Sequence, residues 1–499
     1  MIERLSTGDL MMIWAEKPGS PMNMNLGMAG VVDQDGPLDV ERLRALVGAR
    51  LHRGPMLRRR VQRTRFWQGP PLWVDDQRFD LARHIELVPL PPGAEFLDWA
   101  ATRIAEPLDL GHAPWRLLCV TGLNAGTGAN AGTGLNAGTG PNAGTGLNMG
   151  TGSDAGTGSN ARTGREAGAG LDAGTGLVLA LHHTLADGKT AVALADVLLS
   201  AVSQEPGQES VRWKAAPPPP AGSLVRDAAA AKAAALRRAL KGIPHLPAKL
   251  RVLATAIRAV GPRVPSLPFP VVRDGGRRLA TAAWPLADVE RAAHTLDATV
   301  NDIALTLTTF GVRRLLTASG EPVDGHALRV SVPVAAAPGT RNAGGSPPMM
   351  ISLPLDEPDP LRALAQVTAR TRAAKASRAG TSSWQPPMLL MRLMMRWVRS
   401  HGAERVNLYV TNVPGPAAPL RLDGARLTAV YPIAPITAGV PLAVAVLSYA
   451  GTLVMTVNAA PELTRLRAFA AGAREAMTAL TDAVARPSLI ADPGRKAGL

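Results

Sequence analysis

Residues 177–190 read "LVLALHHTLADGKT". An apolar run leads straight into two adjacent histidines, and an Asp-Gly pair follows after three intervening residues. A short apolar run of this kind predicts a buried strand. If the chain stays extended through His183, successive side chains face opposite ways, so His182 and His183 cannot share one job. One looks into the packing and the other towards an opening. Asp187 returns after a short turn, where its carboxylate can fix a histidine tautomer or anchor the loop. Gly188 is expected to supply a backbone conformation closed to other residues.

Upstream, "WRLLCVTGL" at 115–123 reads as a partner strand. Between the two lies a tandem hexapeptide over residues 124–177, nine units beginning "NAGTGANAGTGLNAGTGP". Glycine at alternate positions disfavours helix, and the segment has too little apolar surface to offset the entropy of ordering. A stacked β-helix would need bulky aliphatics facing inward, and that position holds Leu, Ala, Pro, Ser or Arg. The tract is expected to be a flexible insertion at a hairpin tip. Lengthening such a connection costs only ~0.6 kcal/mol per doubling of loop length.

The chain has 499 residues, 46% hydrophobic and 19% charged, which is a globular composition for two to three domains. A formal net charge of +15 favours anionic partners. There is no zinc-finger spacing and no RNP-like aromatic run, so nucleic acid is not expected. Cys119 is the only cysteine, which excludes an intramolecular disulfide and cysteine-based metal sites. The opening "MIERLSTGDLMMIW" mixes acids with bases and is not a signal peptide. The longest apolar stretch, "VPLAVAVLSYAGTLVMTV" at 440–457, is interrupted by Pro441, Ser448 and Gly451. It reads as a buried hairpin turning at Ala450-Gly451, not a membrane span. An intracellular protein, soluble or peripheral, is the expectation.

"KAAPPPPAG" at 214–222 opens a linker with two helices broken near Pro244 and Pro247. Their polar faces carry Arg226, Lys232, Arg237, Arg238, Lys241, Lys249, Arg251 and Arg258. Two readings stand: a basic amphipathic surface for lipid, or a helical linker with a solvated face. A new block follows, with a strand near 280, helices at 286–296 and from Asn301, strands at 328–334, 349–354, 407–411 and 443–457, and helices at 360–375, 386–399 and 462–485. Alternating helices and strands in both halves predict α/β, with a mixed sheet in each. "TNVPGP" at 411–416 reads as a tight turn. "PPMLLMRLMMRWVRS" at 386–400 reads as a core helix or a lipid groove.

The chemistry narrows by residue type. A zinc site would want histidines at helical spacing or a third ligand close in sequence, and His112 has no spacing that ties it in. A serine hydrolase would want Gly-x-Ser-x-Gly, which is absent. Cys119 lies on an apolar strand and reads as core. A histidine acting directly as general base on a hydroxyl or amine remains.

"HHTLADG" matches the HHxxxDG signature of CoA-dependent acyltransferases. The chain most resembles bacterial wax ester synthase/diacylglycerol acyltransferases, over most of its length. "LSTGDLMMIWAEKPGSPMNM" at 6–24 resembles their N-terminal block, with Asn23 where a histidine is usual. "GHAPWRLLCVTGL" resembles the Pro-Leu-Trp block, with Ala113-Pro114-Trp115 in its place. "VNDIALTL" at 300–307 matches the Asn-Asp motif, and "LYVTNVPGPAAPLRLDGARLTAVYPIAP" at 408–435 resembles the C-terminal segment. The resemblance implies two chloramphenicol-acetyltransferase-like domains, each a mixed β-sheet flanked by helices, with an active-site channel between them. The expected division is 1–210, carrying the motif and the insertion; 211–275, the Pro-rich and basic linker; and 276–499.

It further implies an acyl-CoA-dependent O-acyltransferase that esterifies diacylglycerol or a long-chain alcohol to triacylglycerol or wax ester. Acyl-CoA is a co-substrate, and no cofactor or metal is called for. His183 would be the general base, with His182 supporting it and Asp187 organising the loop. Asn301 is a candidate oxyanion donor, or else the cap of the helix beginning there. Asp302 is expected to stabilise that helix start, and Gly188 completes the structural motif. The alternatives are a carrier-protein-dependent condensation or polyketide-associated acyltransferase, and an inactive lipid-surface binding protein.

Overall fold

The computed structural model describes residues 2–16, 23–33, 38–123, 174–199, 213–241, 262–273, 275–326, 328–333, 348–378, 388–401, 404–436 and 439–486. Strands β1 (Asn25–Asp33), β2 (Arg59–Gln62), β3 (Leu72–Asp75), β4 (Ile85–Pro89), β5 (Trp115–Thr121) and β6 (Thr175–His182) come from the first half. Strands β7 (Arg278–Pro285), β8 (Leu328–Val332), β9 (Met349–Leu353), β10 (Leu408–Pro414), β11 (Arg421–Leu422), β12 (Ala425–Ile433), β13 (Leu442–Tyr449) and β14 (Thr452–Ala459) come from the second.

Two mixed six-stranded sheets result, with orders β11-β12-β1-β6-β5-β4 and β7-β14-β13-β10-β8-β9. The α/β class with a mixed sheet in each half is as expected. In the first, β4 and β5 run parallel and the other pairs antiparallel; in the second, β10 runs parallel to both β8 and β13. The sheets are not assembled from contiguous halves, however. Strand β12 pairs with β1 from Gly27–Ile433 to Asp33–Arg426, so a C-terminal segment extends the N-terminal sheet. The sequence reading assigns no strand to 425–433, so both β12 and its place in the first sheet are additions from the structure.

Every residue of β6 is buried, because the sheet is covered on both faces. It pairs antiparallel with β5 from Trp115–Leu181 to Val120–Gly176. The tandem repeat therefore interrupts a β5–β6 connection, as expected, although Thr175–Leu177 of its last unit are strand. Residues 124–173 of the repeat lie outside the described residues. So do Pro244, Pro247, Lys249, Arg251, Arg258 and the second linker helix; the first is Ala221–Lys241.

Strands β13 and β14 form the expected hairpin, with Tyr449 opposite Thr452. Ala450 and Gly451 both take positive φ, 46° and 82°, as a two-residue turn matching the twist of the flanking strands demands. "TNVPGP" is not a turn from residue 411: β10 continues to Pro414, held in parallel register with β13 through Pro414–Ser448. Helix Val300–Ser319 buries Ile303, Leu305, Leu307 and Leu315 and packs on helix Arg467–Ala485. Helix Met388–His401 is amphipathic: Met391 and Met395, four apart, are buried, while Leu393 and Trp397 are exposed.

Both hydrophobic clusters around the first sheet mix the halves. Leu422, Leu427, Val430 and Tyr449 pack with Leu43, Leu177 and Leu181, and Leu279 and Val454 pack with Phe96 and Val178. Polar links add direction to this interface. The amide N–H of Leu279 donates to Asp98 at 2.7 Å, and that of Arg277 donates to the Thr102 hydroxyl at 3.1 Å.

Candidate active site

The histidine motif starts where β6 ends. The His182 N–H donates to the Pro114 carbonyl at 3.0 Å on the β5 side, and the His183 N–H donates to the Met24 carbonyl at 2.8 Å on the β1 side. Opposed amides of successive extended residues thus pin the pair to both neighbouring strands. The Leu185 N–H then closes a turn on the His182 carbonyl at 2.8 Å.

His182 is 1% exposed and fully committed. Its Nδ1 lies 3.1 Å from the Thr184 N–H and 2.8 Å from the Thr184 hydroxyl, and its Nε2 lies 2.9 Å from a Glu16 carboxylate oxygen. The backbone amide can only donate, so Nδ1 accepts and Nε2 carries the proton given to Glu16. The same Glu16 oxygen accepts the Met24 N–H at 2.8 Å, so one carboxylate ties His182 to the residue that holds His183.

His183 is half-buried, with no such clamp on its ring. Burial pushes its imidazole below the ordinary pKa, and neighbouring His182 adds to that; a bond to its own backbone carbonyl and the Asp187 charge pull the other way. The sequence reading of one inward and one outward histidine therefore holds, with His182 inward.

Asp187 caps the helix Gly188–Leu199. Its carboxylate accepts the Thr190 N–H at 2.8 Å, and its carbonyl accepts the Ala191 N–H at 2.7 Å. Among the described residues no arginine pairs with it. Gly188 differs from expectation: its φ is not positive. A Cβ there would lie 2.6 Å from Val413 Cγ2, so the glycine is required by the close approach of β10. Val413 brings the second sheet onto the motif, and the motif thus sits where the two halves meet.

Thr299, not Asn301, caps the helix Val300–Ser319. The Asp302 carboxylate accepts the Thr299 N–H at 2.9 Å and the Thr371 hydroxyl at 2.7 Å, and the Thr299 hydroxyl oxygen accepts the Asp302 N–H at 3.2 Å. This capping box spends Asp302 on the helix start. It leaves the half-buried Asn301 amide, in the first turn, without a side-chain partner among the described residues.

Trp115 is 2% exposed, and its Nε1 donates to the Leu57 carbonyl at 2.7 Å. With the Pro114 carbonyl on His182, the Ala-Pro-Trp block holds the motif from behind. Asn23 donates to the Ala105 carbonyl and accepts the Asn25 N–H at 3.1 Å, fixing the entry to β1. Glu16, Thr184 and Val413 are the residues that sequence reasoning missed. Glu16 does lie inside the quoted N-terminal block, which was its only signal.

Among the described residues no three His, Cys, Asp or Glu side chains cluster as metal ligands. Cys119 on β5 is fully buried, and burial pushes its thiol up to about 12. Such a thiol is inert. The folded protein should therefore not react with an aromatic disulfide reagent at pH 8 and should release one equivalent of thiolate only on unfolding, followed by absorbance. Rapid native labelling with loss of turnover would restore cysteine as a nucleophile.

Comparison with known proteins follows the same lines. The family model for the wax ester synthase/diacylglycerol acyltransferase catalytic domain matches residues 5–130 and 169–304, and that for the WS/DGAT C-terminal domain matches 348–481. A probable diacylglycerol O-acyltransferase of Mycobacterium tuberculosis is 27% identical over 487 residues, covering 91% of this chain and 90% of its own. A putative diacylglycerol O-acyltransferase of the same species is 35% identical over 189 residues, 36% of this chain and 38% of its own. Among solved structures, a wax ester synthase/diacylglycerol acyltransferase from Marinobacter aquaeolei VT8 aligns with TM-score 0.60 at 18% identity, over 97% of this chain and 100% of that one. A starter condensation domain of rhizomide synthetase aligns with TM-score 0.54 at 13% identity, over 97% and 94%. At these identities the structural likeness speaks to fold alone.

Proposed function

The chain belongs to the wax ester synthase/diacylglycerol acyltransferase family, and on that premise we propose how its own residues carry the reaction. It is an acyltransferase that makes triacylglycerol or wax ester, taking the acyl group from acyl-CoA and the hydroxyl from diacylglycerol or a long-chain alcohol. The His183 imidazole removes the hydroxyl proton as the oxygen attacks the thioester carbonyl. The C–O bond forms and the carbonyl electron pair moves onto oxygen. The tetrahedral oxyanion then expels the thiolate, which takes the proton back from the imidazolium. Acyl-CoA and alcohol become ester and free CoA, with no covalent acyl-enzyme.

The observation that carries this reading is the division of labour between the histidines. His182 is buried and bonded at both nitrogens, while the half-buried His183 ring has no such clamp among the described residues and lies at the meeting of the two halves. Asp187 acts as a loop organiser, consistent with its capping bonds. Asn301 is the oxyanion donor, a role supported by its uncommitted amide in the first turn of a helix. The division into 1–210, 211–275 and 276–499 is part of the same proposal, with the 421–433 strands lent back to the first part.

We further place the enzyme on the cytoplasmic face of membranes or on lipid inclusions, since both acceptors are water-insoluble. Among the described residues no helix is long and apolar enough to cross a membrane. Purified protein given labelled palmitoyl-CoA with diacylglycerol or hexadecanol should yield labelled neutral lipid on thin-layer chromatography. Product from neither acceptor would remove the lipid-acceptor reading.

A further inference from the structure

The short turn Phe66–Gln68 packs against helix Ala221–Lys241. The helix is firmly seated at its N-terminal end. Leu224 is 2% exposed, in a cluster with Leu72 and Val74. Arg4 pairs with Asp227 at 2.7 Å while donating to the Pro70 carbonyl at 2.6 Å and the Leu224 carbonyl at 3.2 Å.

On this rigid seat the apolar side chains point outward. Phe66 is 90% exposed and Trp67 55%, and further along the helix Leu236 is 62% and Leu240 57% exposed. Lys232, Leu236 and Leu240 follow one another at four-residue spacing, so they share one face of the helix. Lys232 Nζ lies 5.4 Å from the Phe66 ring centre, and the Arg65 guanidinium 5.6 Å from that of Trp67. That places the turn and the helix face on one patch. Arg63, Arg226 and Arg237 are exposed around it. The only carboxylate in either segment is Asp227, which is spent on Arg4.

Aromatic rings held in water beside unopposed cations match the boundary of a phospholipid layer, where rings sit at headgroup depth and cations meet phosphates. We propose that Phe66, Trp67, Leu236 and Leu240, ringed by Arg63, Arg65, Arg226, Lys232 and Arg237, are the docking surface for anionic phospholipid. The charge complementarity selects this occupant: a second copy of the chain would bring the same cations face to face. The inference rests on the reading that the substrates are lipid-borne, and it names the part of the molecule that reaches them.

The test uses the full chain and F66S/W67S. Both side chains are exposed, and neither belongs to the apolar cluster that seats the helix. Co-sedimentation is measured with phosphatidylcholine vesicles with and without phosphatidylglycerol, and turnover with palmitoyl-CoA and a water-miscible short-chain alcohol. The native protein should bind the anionic vesicles preferentially. The double variant should bind at least ~10-fold more weakly while turning over the soluble alcohol as fast as the native protein. Binding of the variant equal to native, or no preference for the anionic vesicles, would overturn the docking surface. So would a native dimer that the substitutions dissociate. No turnover in either form, with vesicle binding still dependent on Phe66 and Trp67, would leave the surface standing and remove the acyltransferase reading instead.

Discussion

Replacing His183 by alanine should lower turnover by about 10²–10⁴-fold, the usual contribution of a positioned general base, while thermal unfolding stays near native. The ring is half-buried, and the His183 N–H that pins this end of β6 belongs to the backbone. On the proposed mechanism only the base is lost. The pH profile provides a second readout. The working form is the neutral imidazole, and burial lowers its pKa, so the base remains competent below the ordinary value of about 6.5. The acid limb of kcat/KM should therefore lie below that value, with activity flat above it and falling as the ring is protonated. The limb should vanish from the residual activity of H183A. A limb that persists in the variant, or native-like turnover, would assign the proton transfer elsewhere.

Gly188→Ala should also be damaging, although it adds only one methyl group. Alanine is the better helix former by about 1 kcal/mol, and φ at this position is not positive, so propensity alone favours the change. Packing decides against it. The new Cβ would sit 2.6 Å from Val413 Cγ2, and a β-branched side chain has little rotameric freedom to retreat. Overpacking of this kind costs roughly 1–3 kcal/mol. The strain falls one residue after Asp187, so activity should drop at least ~10-fold. Val413→Ala removes the opposing methyl groups. The pair G188A/V413A should regain most of the lost stability and part of the turnover, giving a strong coupling in a double-mutant cycle of chemical denaturation. Additive losses would mean that the contact between the halves at Gly188 is not what the glycine serves.

Much of this was readable from local sequence, and the reasons differ by element. The β5–β6 hairpin shows through its own insertion, since the apolar runs on either side of the repeat pair in register once it is removed. The β13–β14 turn is written in the residues that take it. Asp302 is legible as a helix-start residue because capping is a three-residue matter, though the partner proved to be Thr299 and not Asn301. What escaped is non-local. Glu16 reaches His182 across 166 positions, and Val413 reaches Gly188 from another sheet. Periodicity reports which residues want burial, never what they will be buried against. The Gly188 expectation failed for the same reason: a glycine demanded by a neighbour looks, in sequence, like one demanded by a turn.

The strand lent by the C-terminal half, Ala425–Ile433, has a consequence for how the protein is born. Until that segment leaves the ribosome, β1 presents a naked row of amides and carbonyls, a template for aggregation. The nascent amino-terminal portion cannot complete its sheet during synthesis and must wait for nearly the whole polypeptide. Premature termination anywhere before residue 425 would release not a smaller working unit but a chain with an open seam.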